Sequence, residues 1–235
     1  EFQLLQNQDA EAKSAAFDSL GNLFVVGHAV GLSTAGGGGP GAWLVRKFDG
    51  TSWSIVDAFR LSTDYGGGNS DSASDIVIDS NNNIYVIGTG FEFWTTNHWL
   101  VRKSSDHGAS WTTIDDYRLG ATQNSYANGQ HLFIDNQGNL LATGLAVGSD
   151  SNWHSIIRKR PAGSSTWSTV LDVPATPPTS YDFYPLGGVL AQDTAGNLFL
   201  SQSWQMTHEA SGHVRIFKST NGGTSWTFIG RGARL

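Results

Sequence analysis

The sequence contains no cysteine, one methionine and 6 prolines, and only 14% of its 235 residues are charged. Without cysteine there can be no disulfide framework, no thiolate zinc site and no cysteine nucleophile. The formal net charge is −6 and the few Lys and Arg are scattered, which argues against nucleic acid as a partner. The apolar runs are far shorter than the roughly 20 residues of a membrane-spanning helix, which argues against membrane insertion.

Glycine and tryptophan are abundant, with 29 and 9 residues respectively. This composition favours short strands and many turns over long helices. The length is compatible with a single all-β domain, because barrels, sandwiches and propellers often exceed the usual domain size.

One short turn occurs four times along the chain, at residues 18–22, 79–83, 135–139 and 193–197. Each copy begins with Asp, ends with Asn, and joins a short apolar run to a β-rich run. We predict that each copy is the hairpin between the first two strands of a repeat, centred on Gly21-Asn22, Asn82-Asn83, Gly138-Asn139 and Gly196-Asn197. Gly and Asn tolerate the positive φ that such hairpins need.

Two further strands follow in every repeat. The third strand lies at residues 43–47, 99–103, 155–159 and 214–218, and the fourth is led by Trp53, Trp111, Trp167 and Trp226. Four strands per unit without helical periodicity are typical of a propeller blade. We therefore predict an all-β chain with almost no helix. It is expected to form a single β-propeller domain over residues 1–235, with four tandem four-stranded blades at approximately 12–62, 73–120, 130–173 and 187–235.

The turn between the third and fourth strands carries a family resemblance. Residues 104–111 read Ser-Ser-Asp-His-Gly-Ala-Ser-Trp, and residues 219–226 differ mainly in having Asn for Asp. This pattern resembles the Asp-box, the bacterial neuraminidase repeat of sialidase-like β-propellers, and weaker copies occur at residues 49–53 and 161–167. We interpret the box as scaffolding, in which the acid accepts backbone N–H bonds and Trp packs between blades.

The number of blades in the assembled ring stays open. Residues 2–5 align with the tails of fourth strands, and residues 232–235 align with the same positions at the other end. The chain is expected to form a closed four-bladed ring, or part of a larger ring completed by another chain or segment, because an open repeat array exposes an edge. A homo-oligomer or a larger parent chain would each supply the missing part.

The resemblance implies that ligands bind on the face opposite the Asp-box turns, where the loops between second and third strands meet the connections between blades. Candidate ligand-binding residues there are Trp94, His98, Trp153, His154, Trp204, His213, Tyr126 and Tyr184. Aromatic rings interleaved with polar side chains suit a carbohydrate, which offers apolar C–H faces and a rim of hydroxyls. Packing between blades is the alternative interpretation, and it fits Trp43 and Trp99 best.

Catalysis is the alternative to binding. A sialidase needs an arginine cluster, a Tyr and Glu pair and an acidic Asp, but Arg46, Arg102 and Arg158 recur at one strand position, which indicates a shared structural role. Glycoside hydrolysis by Glu92 or Glu209 paired with Asp150 or Asp182 is the remaining catalytic hypothesis. No metal-binding pattern or phosphate-binding loop is present, so no cofactor is expected.

We therefore expect a secreted or cell-surface lectin-like module of bacterial type that binds a glycan or cell-surface polysaccharide rather than acting as an enzyme. No signal peptide is visible, so this location follows from the resemblance. The alternatives are a fragment of a sialidase-like glycoside hydrolase and a structural scaffold that binds protein.

Overall fold

The computed structural model describes residues 9–30, 41–62, 71–92, 96–120, 126–174, 183–206 and 212–231, with side chains described for all of these except 183–187, 204–206, 212, 213 and 231. The described residues form sixteen strands and no helix, and none of them forms a segment that could span a membrane as a helix. The predicted strand ends at residues 2–5 and 232–235 lie outside this part. The strands are β1 (Ala10–Phe17), β2 (Leu23–Ala29), β3 (Ala42–Phe48), β4 (Trp53–Phe59), β5 (Ser72–Ile78), β6 (Ile84–Glu92), β7 (Thr96–Ser104), β8 (Thr112–Tyr117), β9 (Ala127–Ile134), β10 (Leu140–Val147), β11 (Trp153–Arg160), β12 (Ser168–Pro174), β13 (Phe183–Gln192), β14 (Leu198–Met206), β15 (Gly212–Ser219) and β16 (Thr227–Arg231).

Four consecutive strands at a time form one antiparallel sheet, in the order of the chain. Blade 1 comprises β1 to β4, blade 2 comprises β5 to β8, blade 3 comprises β9 to β12, and blade 4 comprises β13 to β16. The predicted fold class, four four-stranded blades, is confirmed. The contacts divide the chain into two compact units: unit 1 holds blades 1 and 2, and unit 2 holds blade 4 and all of blade 3 except the start of β9.

The four predicted hairpins share one set of hydrogen bonds. In blade 1, Oδ1 of Asp18 accepts the N–H groups of Leu20 and Asn22, while Nδ2 of Asn22 donates to Oδ2 of Asp18 at 2.7 Å. The same bonds recur at residues 79–83, 135–139 and 193–197. Positive φ occurs at Gly21, at Asn82 and at the two later glycines, Gly138 and Gly196. The closing Asn of each hairpin instead donates its side-chain N–H to the Asp. The four predicted hairpins are therefore confirmed, and each is stabilised by the side chain of its closing Asn.

The turn at residues 104–111 has the bonds that its residue types predict. Asp106 accepts the Ser104 hydroxyl at 2.8 Å and the Ser110 N–H at 2.9 Å, and the Ser104 hydroxyl accepts the N–H of Gly108. Gly108 has a φ of 91°, and the Trp111 indole donates to its carbonyl oxygen. The turn at residues 219–226 repeats these contacts around Asn221.

Every blade has a register shift between its third and fourth strands. The shift falls at the same place in each repeat, immediately before Arg46, Arg102, Arg158 and Phe217. A β-bulge of this kind changes which face of the sheet the following residues occupy. The direction taken by each fourth-strand side chain therefore depends on the bulge as well as on the alternation of the sequence.

Blades 1 and 2 pack face to face within unit 1. Phe24, Val26, Trp43 and Val45 of blade 1 form the forward face, which packs on the rear face of blade 2. That rear face consists of Ala73, Ile76, Ile84, Val86 and Leu100, with Trp111 against it. Trp43 belongs to this core and Trp111 packs against it, as the packing interpretation predicts, and Trp99 is also fully buried.

Unit 2 contains an equivalent core between blades 3 and 4. Leu141 and Ile157 of blade 3 pack on Leu190, Leu198 and Leu200 of blade 4. The partly buried Trp226 also contacts this cluster, as Trp111 contacts the one in unit 1.

The recurring arginines have structural contacts, as predicted. Arg102 of blade 2 bonds Asp57 of blade 1 through Nε at 2.7 Å and Nη2 at 3.0 Å, and its guanidinium lies 4.0 Å from the ring centre of Phe59. Arg46 lies over the ring of Trp53, and Arg158 lies over that of Trp167.

Candidate functional site

Two of the predicted ligand-binding residues, His98 and His154, occupy equivalent positions near the start of the third strand. Each imidazole lies between two carboxylates, one from the end of the second strand or the loop after it and one from the fourth strand. Blades 2 and 3 thus carry the same carboxylate–imidazole–carboxylate array. Each array places two carboxylates on one imidazole within its own blade.

The blade 2 array consists of Glu92, His98 and Asp116. Nδ1 of His98 lies 2.7 Å from Oδ1 of Asp116, and Nε2 lies 3.1 Å from Oε2 of Glu92. The pairing of β6 with β7 sets Glu92 opposite Thr96, two residues before the histidine, so both side chains reach the same edge. The His98 side chain is only 7% exposed, whereas those of Glu92 and Asp116 are 47% and 49% exposed. A buried imidazole therefore holds two carboxylates that reach solvent.

The blade 3 array consists of Asp150, His154 and Asp172. Nδ1 of His154 lies 2.5 Å from Oδ1 of Asp172, and Nε2 lies 3.1 Å from Oδ1 of Asp150. Asp150 is in the tight hairpin between β10 and β11, where it also accepts the backbone and side-chain N–H groups of Asn152. This contact set repeats the blade 2 array on a shorter loop.

Gly148 makes room for the blade 3 array. A Cβ atom at this position would lie 2.7 Å from Oδ1 of Asp150 and 2.8 Å from Nε2 of His154. Any larger residue would push the carboxylate and the imidazole apart, so the glycine is a requirement of the array rather than of the turn alone.

The pKa values of both histidines are raised, which favours the charged imidazolium form. The bond from Asp116 is the main cause of a raised pKa of His98, and it outweighs the opposing effect of burial. Burial also disfavours the charged form of His154, but the bonds to Asp172 and Asp150 outweigh it and raise the pKa. Bonds from Asn152 and then His154 lower the pKa of Asp150 to about 2, so this carboxylate is ionised at any physiological pH.

Asp71 lies beside the blade 2 array but has a different environment. It is buried and accepts the backbone N–H groups of Phe91 at 2.6 Å and Leu61 at 3.0 Å. Burial raises the pKa of Asp71 to about 6, and the nearby charges of Arg60 and His98 oppose that rise. Asp71 ties the connection between blades to the end of β6 and thereby positions Glu92.

The remaining predicted residues fall into two groups. Trp153 is the first residue of β11 rather than part of the loop, and both it and Tyr126, which precedes β9, are half-buried. Trp94 lies outside the described residues, as do the side chains of Tyr184, Trp204 and His213, although the strands place Trp204 opposite His213 in register. Their roles stay predictions.

Sequence analysis missed Asp116 and Asp172. Both follow their histidine by 18 residues, and this equal spacing is the signal that could have found them. Blades 1 and 4 lack the pattern: blade 1 has Ala42 at the histidine position, and blade 4 has Arg231 at the position of the fourth-strand acid. The proposed pairing of Glu92 with Asp150 joins residues of different compact units and stays a prediction, and Glu209 and Asp182 lie outside the described residues.

Metal binding has no support in the described ranges, where no group of three or more His, Asp or Glu side chains has an arrangement that could hold a metal ion. The arrays instead offer carboxylate oxygens as acceptors, two of them on either side of each imidazole. Such groups bind hydroxyls and exchange protons with them.

Comparison with known proteins identifies carbohydrate-active enzymes as the similar proteins. No protein-family model matches the sequence. The chain is 23% identical over 198 residues to a xyloglucanase of Paenibacillus sp., and the match covers 76% of this chain but only 18% of that protein. The chain therefore spans less than a fifth of the length of this curated relative.

Solved structures of glycoside hydrolases resemble this chain in fold. The α-L-arabinofuranosidase Arb93A of Fusarium graminearum matches with a TM-score of 0.67 at 12% identity, over 97% of this chain and 69% of that one. The Hadza microbial sialidase Hz136 matches with a TM-score of 0.61 at 15% identity, over 92% of this chain and 45% of that one. At such identities the likeness shows the fold alone: the four sheets are blades of a β-propeller, the fold of these glycoside hydrolases.

Proposed function

We propose that this chain is the glycan-engaging propeller module of a glycoside hydrolase and that it contacts its substrate at the blade 2 and blade 3 arrays. The observation that carries the proposal is the pair of half-exposed carboxylates held on either side of one buried imidazole. The similarity to a xyloglucanase and to propeller glycosidases supports hydrolysis over the binding-only function expected from the sequence.

The exposed atoms of the arrays suit a sugar. Carboxylate oxygens accept hydrogen bonds from hydroxyl groups, and those of Glu92 and Asp116 are accessible while their imidazole partner is not. Trp153 immediately precedes His154 in β11, and its half-buried indole is the aromatic group that we propose contacts the C–H face of a sugar ring. A cluster of acceptors beside an aromatic ring is the usual composition of a carbohydrate site.

The chemistry of glycoside hydrolysis also fits the blade 2 array. Such enzymes use two carboxyl groups, one to protonate the leaving oxygen and one to activate water or attack the sugar. Glu92 and Asp116 are the candidates because both reach solvent and both lie within hydrogen-bond distance of His98. Asp71 has a suitably raised pKa, but its burial and its two backbone bonds keep it from touching a substrate.

Binding without hydrolysis is the second candidate, and one observation favours it. The array occurs in both blade 2 and blade 3, whereas a single catalytic centre needs carboxyl groups with unlike roles. Two equivalent weak sites would instead bind a polymeric glycan by avidity. This is the lectin-like function, and it uses the same residues.

Turn chemistry supports assigning the repeat to the Asp-box type, because Asp106, Ser104 and Gly108 have the bonds expected for that turn. The arginines do not support a sialidase in particular, since Arg102 is engaged by Asp57 between blades. A function on polysaccharide agrees with a location outside the cell, which we propose with it.

The test compares hydrolysis and binding in the same variants. A panel of chromogenic glycosides and xyloglucan, arabinan and sialylated substrates is assayed together with a glycan array. The variants are Glu92→Gln and Asp116→Asn in blade 2 and Asp172→Asn in blade 3, and Asp106→Asn in the box turn is the control.

If the chain is hydrolytic, the blade 2 variants lose roughly 10²–10⁴-fold in rate, the usual contribution of a general acid or base, and the control does not. Binding that falls in blade 2 and blade 3 variants, with no hydrolysis of any substrate, identifies the lectin-like function. Equal behaviour of the wild type and all array variants would remove both functions from these residues.

A further inference from the structure

The turn between the third and fourth strands of blade 4 carries an amide where the corresponding turn of blade 2 carries an acid. Asn221 stands at the position of Asp106 in the repeat. Its Oδ1 accepts the Ser225 N–H and the Ser219 hydroxyl, both at 2.9 Å, and the carboxylate of Asp106 accepts the equivalent groups of its own turn. In blade 2 the bonds from Ser110 are the main cause that lowers the pKa of Asp106 to about 2. The blade 4 turn therefore presents to a neutral amide the donors that stabilise a carboxylate.

A lysine of the preceding blade binds each of these two turns. In unit 1, Nζ of Lys47 donates to the carbonyl oxygen of His107, the residue after the acid, at 3.3 Å. In unit 2, Nζ of Lys159 donates to the carbonyl oxygen of Gly222, the residue after the amide. A positive charge beside a turn favours an anion over a neutral group there. Both turns thus bind the cation, but the residue next to it is an acid in blade 2 and an amide in blade 4.

The amide of blade 4 is followed by glycine, and such a pair can convert asparagine into aspartate without an enzyme. The backbone nitrogen of Gly222 attacks Cγ of Asn221, a C–N bond forms, and the side-chain nitrogen leaves as ammonia. The product is a five-membered succinimide ring. Water then breaks the new C–N bond and leaves an aspartate in an unaltered backbone, so the whole reaction consumes one water and releases one ammonia. Glycine favours the attack because it has no side chain that would hinder it.

The turn surrounds this reaction with suitable groups. Asn221 is exposed, so water reaches it, and Gly222 has a φ of 65°. The two donors on Oδ1 of Asn221 are placed to stabilise the negative charge that this oxygen gains when the nitrogen attacks. The Ser225 hydroxyl lies 2.8 Å from Nδ2, where a proton donor assists the departure of ammonia.

We propose that Asn221 is a site of spontaneous deamidation in the folded chain, and that the turn of blade 4 thereby acquires the acid that the turn of blade 2 has by sequence. The donors of the turn and the bound Lys159 both favour the charged product over the neutral amide. The modification adds one negative charge to the chain and requires only water.

The chain contains one other Asn-Gly pair, Asn128-Gly129, which serves as an internal reference. Gly129 is buried within β9, where a Cβ atom would lie 2.5 Å from the side chain of Ile87 and 2.8 Å from that of Trp99. The sheet holds this backbone extended and packed. Its glycine nitrogen therefore reaches the side-chain carbon only when the strand opens.

Peptide mass spectrometry after incubation at mildly alkaline pH measures the deamidation of both pairs in the same sample. We expect Asn221 to react about tenfold or more faster than Asn128 in the folded chain, because only the strand must open before reaction. In urea, where neither pair has a fixed structure, the two rates should agree within about twofold.

Two variants complete the test. Gly222→His is the matched control, because His107 occupies the same position in the blade 2 turn with a φ of 55°. It should slow the reaction of Asn221 about tenfold or more, since a side chain now hinders the attack. Asn221→Asp is the product made by mutation. It should melt no lower than the wild type, and its peptide should coelute with the deamidated peptide of the wild type.

Each part of the proposal has a result that would overturn it. If Asn221 stays intact in the folded chain while the urea sample reacts, the turn protects the amide and is not a modification site. Equal rates for Asn221 and Asn128 in the folded chain would show that global unfolding controls both. A product that is mainly isoaspartate, or an Asn221→Asp chain that melts below the wild type, would show that the turn does not accommodate the acid.

Discussion

The ion pair between blades 1 and 2 offers a sharp test of how the propeller is held together. Arg102 and Asp57 join through two bonds of 2.7 and 3.0 Å, and both side chains are only 9% exposed. Asp57→Ala leaves the guanidinium buried against Phe59 without this carboxylate. Breaking a buried pair in this way costs about 3–5 kcal/mol, so we expect unit 1 to be destabilised by that amount.

Replacing both partners should have a much smaller effect. The contact between blades 3 and 4 uses Leu171 and Phe217 at the same two positions. Asp57→Leu combined with Arg102→Phe would copy this apolar contact into unit 1. Because apolar replacement of a buried ion pair is often neutral or stabilising, we expect the double variant to lie within about 1 kcal/mol of the wild type.

A double-mutant cycle followed by denaturant unfolding measures both effects. Hydrogen exchange of peptides from unit 2 serves as the internal reference, because that unit does not contain the altered residues. The reasoning is refuted if Asp57→Ala costs less than about 1 kcal/mol, or if the double variant is as unstable as the single one.

Three further predictions concern the turns and the site. Asp106→Ala should lower the free energy of unfolding by roughly 1–2 kcal/mol in denaturant experiments, because turn hydrogen bonds are lost, and glycan binding should stay unchanged. A loss of binding at full stability would contradict the scaffolding role. The raised pKa of His98 should stabilise the fold fully below pH 6.5 and progressively less as the pH rises through the folded pKa, and Asp116→Asn should flatten this profile in thermal melts. An NMR titration that gives His98 a pKa below 6.5 would refute it. Trp153→Ala should weaken glycan binding by about 1 kcal/mol or more without lowering the melting temperature, whereas a loss of stability with unchanged binding would identify Trp153 as a packing residue.

The hairpins could be predicted from the sequence because their interactions are local. Asp18 and Asn22 satisfy each other within five residues, and the same two residue types recur in each repeat. Four such turns occur, and each is followed by a third strand and a fourth-strand tryptophan. This local pattern predicts four blades, and no knowledge of long-range contacts is needed. The structure adds the side-chain bond from the closing Asn to Asp, which the tolerance of Asn for positive φ does not by itself reveal.

The histidines of the site could also be predicted, since His98 and His154 recur at one strand position. Their acidic partners were not predicted, because the equal spacing of 18 residues is the only sign in the sequence that links each histidine to its fourth-strand aspartate. Only the folding of the third strand against the fourth brings the two together. The functional interpretation changed with them: aromatic loops alone suggested binding, whereas paired carboxylates on one imidazole also permit acid–base chemistry.

The bulge between the third and fourth strands, and the side-chain directions that follow from it, are visible only in the tertiary structure. Asp115 and Asp116 are adjacent in sequence and chemically alike, yet Asp115 is buried and Asp116 reaches both His98 and solvent. A one-residue register shift before Arg102 sets which acid faces which way. Composition and repeat spacing determine that this chain forms blades. Which of the two adjacent acids belongs to the scaffold and which to the site depends on the strand register, which only the assembled sheet defines. The reason is that the alternation of side chains between the two faces reverses at each bulge.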